Sequence, residues 1–273
     1  MSSTIRHLLA NGADDAPAIG APGVAALDFA GLRALSDYTV SALNGVGIGR
    51  NDRVAIVLPN GPAMAAAFIS IAAGATTAPL NPAYRESEFS FYLTDLKAKA
   101  LVVQKGDDTP ARGAAEQAGI AIIELEAGDN GQFTLTSSAS LQGTPEKTGY
   151  AVPDDIALIL HTSGTTSRPK IVPLSQANIA ASAHHIGQTL RLTPDDACLN
   201  IMPLFHIHGL IAAVLSSLTA GASVVCSSGF NALRFFSWLD EVQPTWVTAV
   251  PTMYQAILSR APRHQEVIAR ARL

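Results

Sequence analysis

Val54 to Tyr84 contains no charged side chain, yet it is interrupted by Pro59, Gly61, Pro62, Gly74, Pro79 and Pro82. That pairing constrains the fold more than any other feature of the chain. A stretch without charge gains nothing from facing water and has to be buried, while breakers this closely spaced leave room only for short elements. Val54–Leu58 reads as a strand covered on both faces, Ala63–Ala73 as an apolar helix stopped by Gly74, and Thr76–Leu80 as the next strand. The helical piece is far shorter than the ~20 residues that a bilayer requires, so no membrane insertion is expected. A second stretch without Asp, Glu, Lys or Arg, Ala197 to Leu233, breaks at Gly221 and reads as core in the same way.

The alternation continues on both sides of this segment. A helix is expected over Phe29–Leu43, then helices near Glu86–Lys97 and Ala111–Ala118 between strands at Ala100–Val103 and Ile120–Ile123. Residues 127–153 are polar, rich in Gly, Ser and Thr, and read as a linker or hairpin. A second series follows: strands at Ile156–Leu160 and Ile171–Leu174, a helix capped by Ser175 and running through His185, and strands at Cys198–Met202, Ser223–Cys226 and Trp246–Val250. Helices near Leu210–Leu218, Leu233–Glu241 and Thr252–Leu258 fill the gaps. The expected fold class is α/β, with two subdomains of mainly parallel sheet flanked by helices, over residues 1–150 and 151–273.

Of the 273 residues 48% are apolar and 15% charged, which is the balance of a packed globular chain rather than a disordered one. A net charge of −4 gives no field for nucleic acid or an anionic membrane. Cys198 and Cys226 are too few for a disulfide framework, so a reducing cytoplasm is the expected compartment. The opening MSSTIRHLLANGADD has no apolar signal core, and no secretory peptide is expected from it.

Thr162, Ser163, Thr165, Thr166 and Ser167 put five hydroxyls into six positions around Gly164, and Lys170 follows. By composition alone this is equally an ordinary surface loop. Its context is the end of a buried strand, where α/β sheets hold ligands, and its N–H groups and hydroxyls suit phosphate oxygens. A P-loop is excluded: Pro169 lacks the N–H, and Ile171 the hydroxyl, that G-x-x-x-x-G-K-[ST] requires. Gly45-Val-Gly47-Ile-Gly49 follows a helical pattern rather than a strand and reads as a helix end, not a dinucleotide loop. His206 and His208 alone, without a well-spaced third ligand, make a poor zinc site.

Thr162-Ser-Gly-Thr-Thr-Ser-Arg-Pro-Lys170 resembles the phosphate-binding signature of the AMP-forming adenylating enzymes, the superfamily of acyl-CoA synthetases and 4-coumarate–CoA ligases. Pro203-Leu-Phe-His-Ile-His-Gly-Leu210 resembles the next motif of that family, and Gly47-Ile-Gly-Arg-Asn-Asp-Arg-Val-Ala-Ile56 its N-terminal stretch. Within the family His161, Ser167, Arg168, Gln176 and the Phe-His-Ile-His-Gly-Leu string resemble the oxalate–CoA ligases. One position departs: Ile171 stands where the family carries glycine after the lysine. Either the lost glycine weakens nucleotide binding, or the β-branched residue merely extends the next strand.

The resemblance implies the first part of the large N-terminal domain of an acid–CoA ligase that uses ATP, Mg²⁺ and coenzyme A. It implies that Thr162, Ser163, Gly164, Thr165, Thr166, Ser167 and Lys170 hold the nucleotide phosphates. His206 and Lys170 would be catalytic, and His206 and His208 would meet a small carboxylic acid such as oxalate. No metal-ligating residue is assigned. The family's Mg²⁺ glutamate, ribose aspartate and C-terminal lysine have no counterpart in these 273 residues. An N-terminal piece, inactive alone and prone to self-association through an exposed sheet edge, is therefore expected. The alternatives are a non-catalytic nucleotide- or partner-binding module derived from such a ligase, and a ligase for a medium-chain or aryl acid. Ala271-Arg-Leu273 would resemble a peroxisomal address only if it is a genuine terminus.

Overall fold

A computed structural model describes residues 3–137, 141–162 and 169–273. The chain opens with α1 (Ile5–Leu9), β1 (Pro17–Gly20), β2 (Leu27–Asp28) and α2 (Phe29–Gly45). Strands and helices then alternate through β3 (Arg53–Val57), α3 (Pro62–Ala72), β4 (Thr76–Pro79), α4 (Glu86–Leu96), β5 (Ala100–Gln104), α5 (Pro110–Gln117) and β6 (Ala121–Ala127). The hairpin partner β7 (Phe133–Ser137) comes next, then β8 (Ile156–Thr162), β9 (Lys170–Ser175), α6 (Gln176–Leu190) and β10 (Ala197–Asn200). A π-helix (His208–Leu215) runs into α7 (Ser216–Thr219), followed by β11 (Ser223–Cys226), α8 (Phe235–Val242), β12 (Trp246–Thr248) and α9 (Pro251–Leu258).

The strands form two sheets, ordered β7-β6-β5-β3-β4-β8-β9 and β12-β10-β11-β1-β2. Pairing is parallel except at β6–β7, β8–β9 and β1–β2. Three cores separate the layers. Val54 and Ile56 face a middle core with α3, while Ala55 and Val57, one residue out of phase, face an outer core under α4 and α5. Leu199 and Ile201 face a third core under α8. The order is helices, sheet, helices, sheet, helices.

The middle position of α3 explains the uncharged stretch. Met64 to Ala72 are all buried, so this helix is apolar on every side because each side meets protein. Phe68, fully buried there, would cost ~3–5 kcal/mol to truncate to alanine. No described helix is long and apolar enough to cross a membrane.

The elements expected from sequence are present with small shifts, and three points differ. Residues 127–153 include a true strand, β7, paired antiparallel with β6. α6 continues to Leu190, past His185, closing only where Arg191 turns left-handed at φ 56°. The sheets do not divide the chain at residue 150. β1 pairs with β11, and β8 pairs with β4, where Thr76 and Thr77 donate their hydroxyls to the Ile156 and Ala157 carbonyls at 2.6 and 2.8 Å. β8 sits between β4 and β9 in the first sheet, with Leu158 packed in the middle core and Ile159 in the outer one.

Candidate functional site

β8 and β9 are the two sides of a hairpin whose last register pair is Thr162 opposite Lys170. Both are exposed, and among the described residues neither side chain has a partner. β8 lies parallel to β4, so this end of the hairpin is at the carboxyl ends of the strands, where doubly wound sheets gather ligands. Ser163, Gly164, Thr165, Thr166, Ser167 and Arg168 lie outside the described residues. Ile171 pairs with His161 and packs against the outer core. Its β-branch therefore serves the strand, the second of the two readings weighed for it.

The histidine-bearing loop after β10 is tied to the same end of the first sheet. Asn60, just beyond β3, donates to the Met202 carbonyl at 3.1 Å and accepts from Leu204 N–H at 2.8 Å. Gly209 lets the π-helix start against this loop, because a Cβ there would lie 2.3 Å from the Pro203 carbonyl oxygen. His206 opens into a small cavity of about 130 Å³, whose walls include Asn81, Tyr84, Tyr92, His161 and Thr162. His208 is turned elsewhere. Its Nε2 is 2.7 Å from Thr248 Oγ1 on β12, and Thr248 borders a separate, mostly apolar cleft of about 460 Å³ with Ile186, Leu190 and Trp246. The structure thus brings His206 and Thr162 together, and sends His208 to a different wall.

The sequence reading gave no site role to several residues at the cavity. His161 Nε2 lies 3.3 Å from Asp95 Oδ2, and its ring meets Tyr92 edge-on at 4.7 Å. Tyr92 in turn stacks on Tyr84 at 4.9 Å. The contacts join residues up to 69 positions apart, so local pattern could not disclose them; the Asn81-Pro-Ala-Tyr84 turn after β4 was the available signal.

Burial lowers the His161 imidazole from its ordinary value against the opposing pull of Asp95, and partial desolvation lowers that of the more exposed His206, so both favour the neutral form at pH 7. Burial and the contact with Tyr92 raise Tyr84 well above the phenol range, keeping it a donor. The donor set of hydroxyls, N–H groups and one ammonium suits a polyphosphate. No carboxylate is among the described residues lining the cavity, so they alone do not make a Mg²⁺ site. A larger groove of about 560 Å³ between α2 and the β6–β7 hairpin is mostly apolar and contains none of these groups. Chemistry, not volume, selects the small cavity.

Residues 9–273 match the AMP-binding enzyme family. The chain belongs to that family. Oxalate–CoA ligase of Arabidopsis thaliana is 40% identical over 274 residues, covering 97% of this chain and 53% of its own length. Oxalate–CoA ligase of Saccharomyces cerevisiae is 39% identical over 235 residues, 77% of this chain and 43% of its own. Among solved structures, ATP-bound MatB from Rhodopseudomonas palustris matches with a TM-score of 0.82 at 27% identity, over 100% of this chain and 54% of that one. The chain spans about half the length of the relatives it matches.

Two further family-like features prove structural in this AMP-binding chain. In Gly47–Ile56, Arg50 Nε and Asn51 Nδ2 donate to the two Asp155 carboxylate oxygens at 2.6 and 2.8 Å. Asp52 accepts from Gly49 N–H and holds Lys99 at 2.9 Å. Gly47 takes φ 82°, the left-handed turn that ends α2, which excludes the dinucleotide reading on geometry. Gln176, fully buried, accepts from Ile5 N–H at 3.0 Å and donates to the Ala72 carbonyl at 2.6 Å, bolting α1, α3 and α6 together. Cys198 and Cys226 are free and buried, and burial pushes the Cys226 thiol up to about 12, which leaves it unreactive.

Proposed function

We propose that this chain is the N-terminal AMP-binding portion of an ATP-dependent, AMP-forming acid–CoA ligase that acts on a small carboxylic acid, with oxalate the first choice. The observation that carries the reading is the pair of unpartnered groups, Thr162 and Lys170, at the carboxyl end of β8 beside a cavity holding neutral His206. Bound ATP supplies the electrophilic α-phosphate and the pyrophosphate leaving group. Thr162, Ser163, Gly164, Thr165, Thr166, Ser167 and Lys170 hold the phosphates, and the Lys170 ammonium meets charge that builds on pyrophosphate as it departs. His206, neutral and carrying one N–H, orients the attacking carboxylate. Mg²⁺ would need carboxylate ligands other than the described residues that line the cavity. By itself the 273-residue chain is without ligase turnover, because such a reaction needs every positioned group at once.

His208, held by Thr248 on a different wall from the His206 cavity, is the residue to which selection of the acid is assigned. An imidazole N–H offers a partner to a second carboxylate, which an apolar wall would leave buried and unpaired. Relatives named for sulfoacetate and for crotonobetaine or carnitine, at 28% and 29% identity, also carry charged acids in their names. A medium-chain or aryl acid is the second reading, favoured by the apolar cleft beside Thr248. The test is pyrophosphate release by the full-length protein with oxalate, malonate, octanoate and 4-coumarate, repeated with His208→Phe. If oxalate is no better than octanoate, or His208→Phe leaves oxalate turnover intact, the substrate assignment is wrong.

A further inference from the structure

The cavity holds two imidazoles, and they are not equivalent. His206 is exposed at its mouth and has no hydrogen-bond partner among the described residues. His161 lies deeper: its side chain is 6% exposed, with Asp95 at one ring nitrogen and the Tyr92 ring against its face. Ile171, its register partner, closes the strand side. A ring fixed this way is expected as a single tautomer, with the Nε2 proton toward the carboxylate and an unshared pair on Nδ1. An adjacent carboxylate also stabilises the imidazolium once a proton arrives. His206 has no such support, so it suits a hydrogen bond to substrate better than a proton transfer.

A thioester-forming ligase has a use for this second imidazole. An ordinary thiol titrates near about 8.5, and entry into a partly enclosed site disfavours its thiolate further. The attacking sulfur therefore arrives protonated and needs a base.

We propose that His161, supported by Asp95, is the general base of the thioester-forming half of the reaction; this rests on the ligase reading above. The thiol S–H bond breaks and its proton goes to His161 Nδ1. The sulfur electron pair forms the bond to the acyl carbon, the bond from that carbon to the AMP phosphate oxygen breaks, and AMP leaves with those electrons. Among the described residues, the titratable groups around the ring are Asp95 and Tyr92 from α4, Tyr84 after β4 and His206 from the loop after β10. Among the described residues Asp95 is the one in hydrogen-bond contact with it.

The experiment separates the two half-reactions in the full-length protein. Oxalate-dependent pyrophosphate release is measured without coenzyme A, and single-turnover thioester formation is measured after coenzyme A is added. His161→Gln is expected to slow thioester formation ~10²-fold and to remove the acidic limb of its pH profile. Pyrophosphate release should fall far less. Asp95→Asn should slow thioester formation to an intermediate degree. Independently of rates, ¹⁵N NMR of labelled histidine should find the His161 proton on Nε2. Equal losses in both half-reactions, unaltered thioester formation, or a resting proton on Nδ1 would each overturn the assignment. Absence of acid-dependent pyrophosphate release in the wild-type protein would instead sink the ligase reading, and the base with it.

Discussion

Gly47–Ile56 and Thr162–Lys170 are both glycine-containing, polar stretches beside a buried strand, and both resemble family motifs. Their polar groups have opposite fates. Arg50, Asn51 and Asp52 are each paired within the fold, on Asp155, Gly49 N–H and Lys99. Thr162 and Lys170 are exposed and unpartnered among the described residues. A paired polar group is committed to holding the chain together, whereas an unpaired donor at the carboxyl ends of parallel strands is available to a ligand. Motif resemblance does not separate these roles; hydrogen-bond accounting does.

The comparison can be broken most forcefully at Asp155. Its side chain is 6% exposed and accepts from three donors, so Asp155→Ala should cost the full-length protein ~3 kcal/mol or more in denaturant melts. Nucleotide affinity should change little if the protein stays folded. Gln176→Ala follows, at ~2 kcal/mol, because it strands the Ile5 N–H and the Ala72 carbonyl in the core. Acid unfolding sharpens the same point. Burial alone would raise Asp155, but hydrogen bonds from Arg50, Val152 N–H and Asn51 outweigh it and hold the carboxyl below its ordinary range. That stabilisation is complete above the unfolded value near about pH 4 and disappears as pH falls through the lower folded value. Asp155→Asn should therefore flatten the loss of stability below that pH, and an unchanged acid profile would count against the pairing. The smallest effect is expected at Ile171→Gly: a loss of ~1 kcal/mol from the strand, with nucleotide affinity within about twofold. A large gain in affinity would mean that the family glycine matters for approach after all.

Much of this architecture was legible because burial leaves a mark on composition. The uncharged run from Val54 to Tyr84 disclosed α3 and its two flanking strands, since a helix covered on all sides cannot carry charge. Ser175 disclosed the start of α6 as its N-cap, and the structure adds the reciprocal bond in which Ser175 N–H donates to Asn178 Oδ1. β1 and β2 stayed hidden: they have four and two residues, and β1 is held by β11 through pairs such as Ile19 with Val224. The direction of His208 was equally hidden. It is seen in the contact with Thr248, 40 positions away, and nothing in the local pattern marks that partner. The His161–Asp95 contact is long-range and was invisible for the same reason.

The central claim is that the unpartnered groups beside β8 bind polyphosphate, and Lys170 tests it most directly. Thermal unfolding of the full-length wild type and Lys170→Met is compared with and without Mg·ATP. An exposed strand-end lysine should leave the unliganded midpoint within about 1 °C. Saturating nucleotide at 100-fold over the wild-type Kd should stabilise the wild type by ~2.7 kcal/mol and Lys170→Met by far less. The same stabilisation in both proteins would contradict the account.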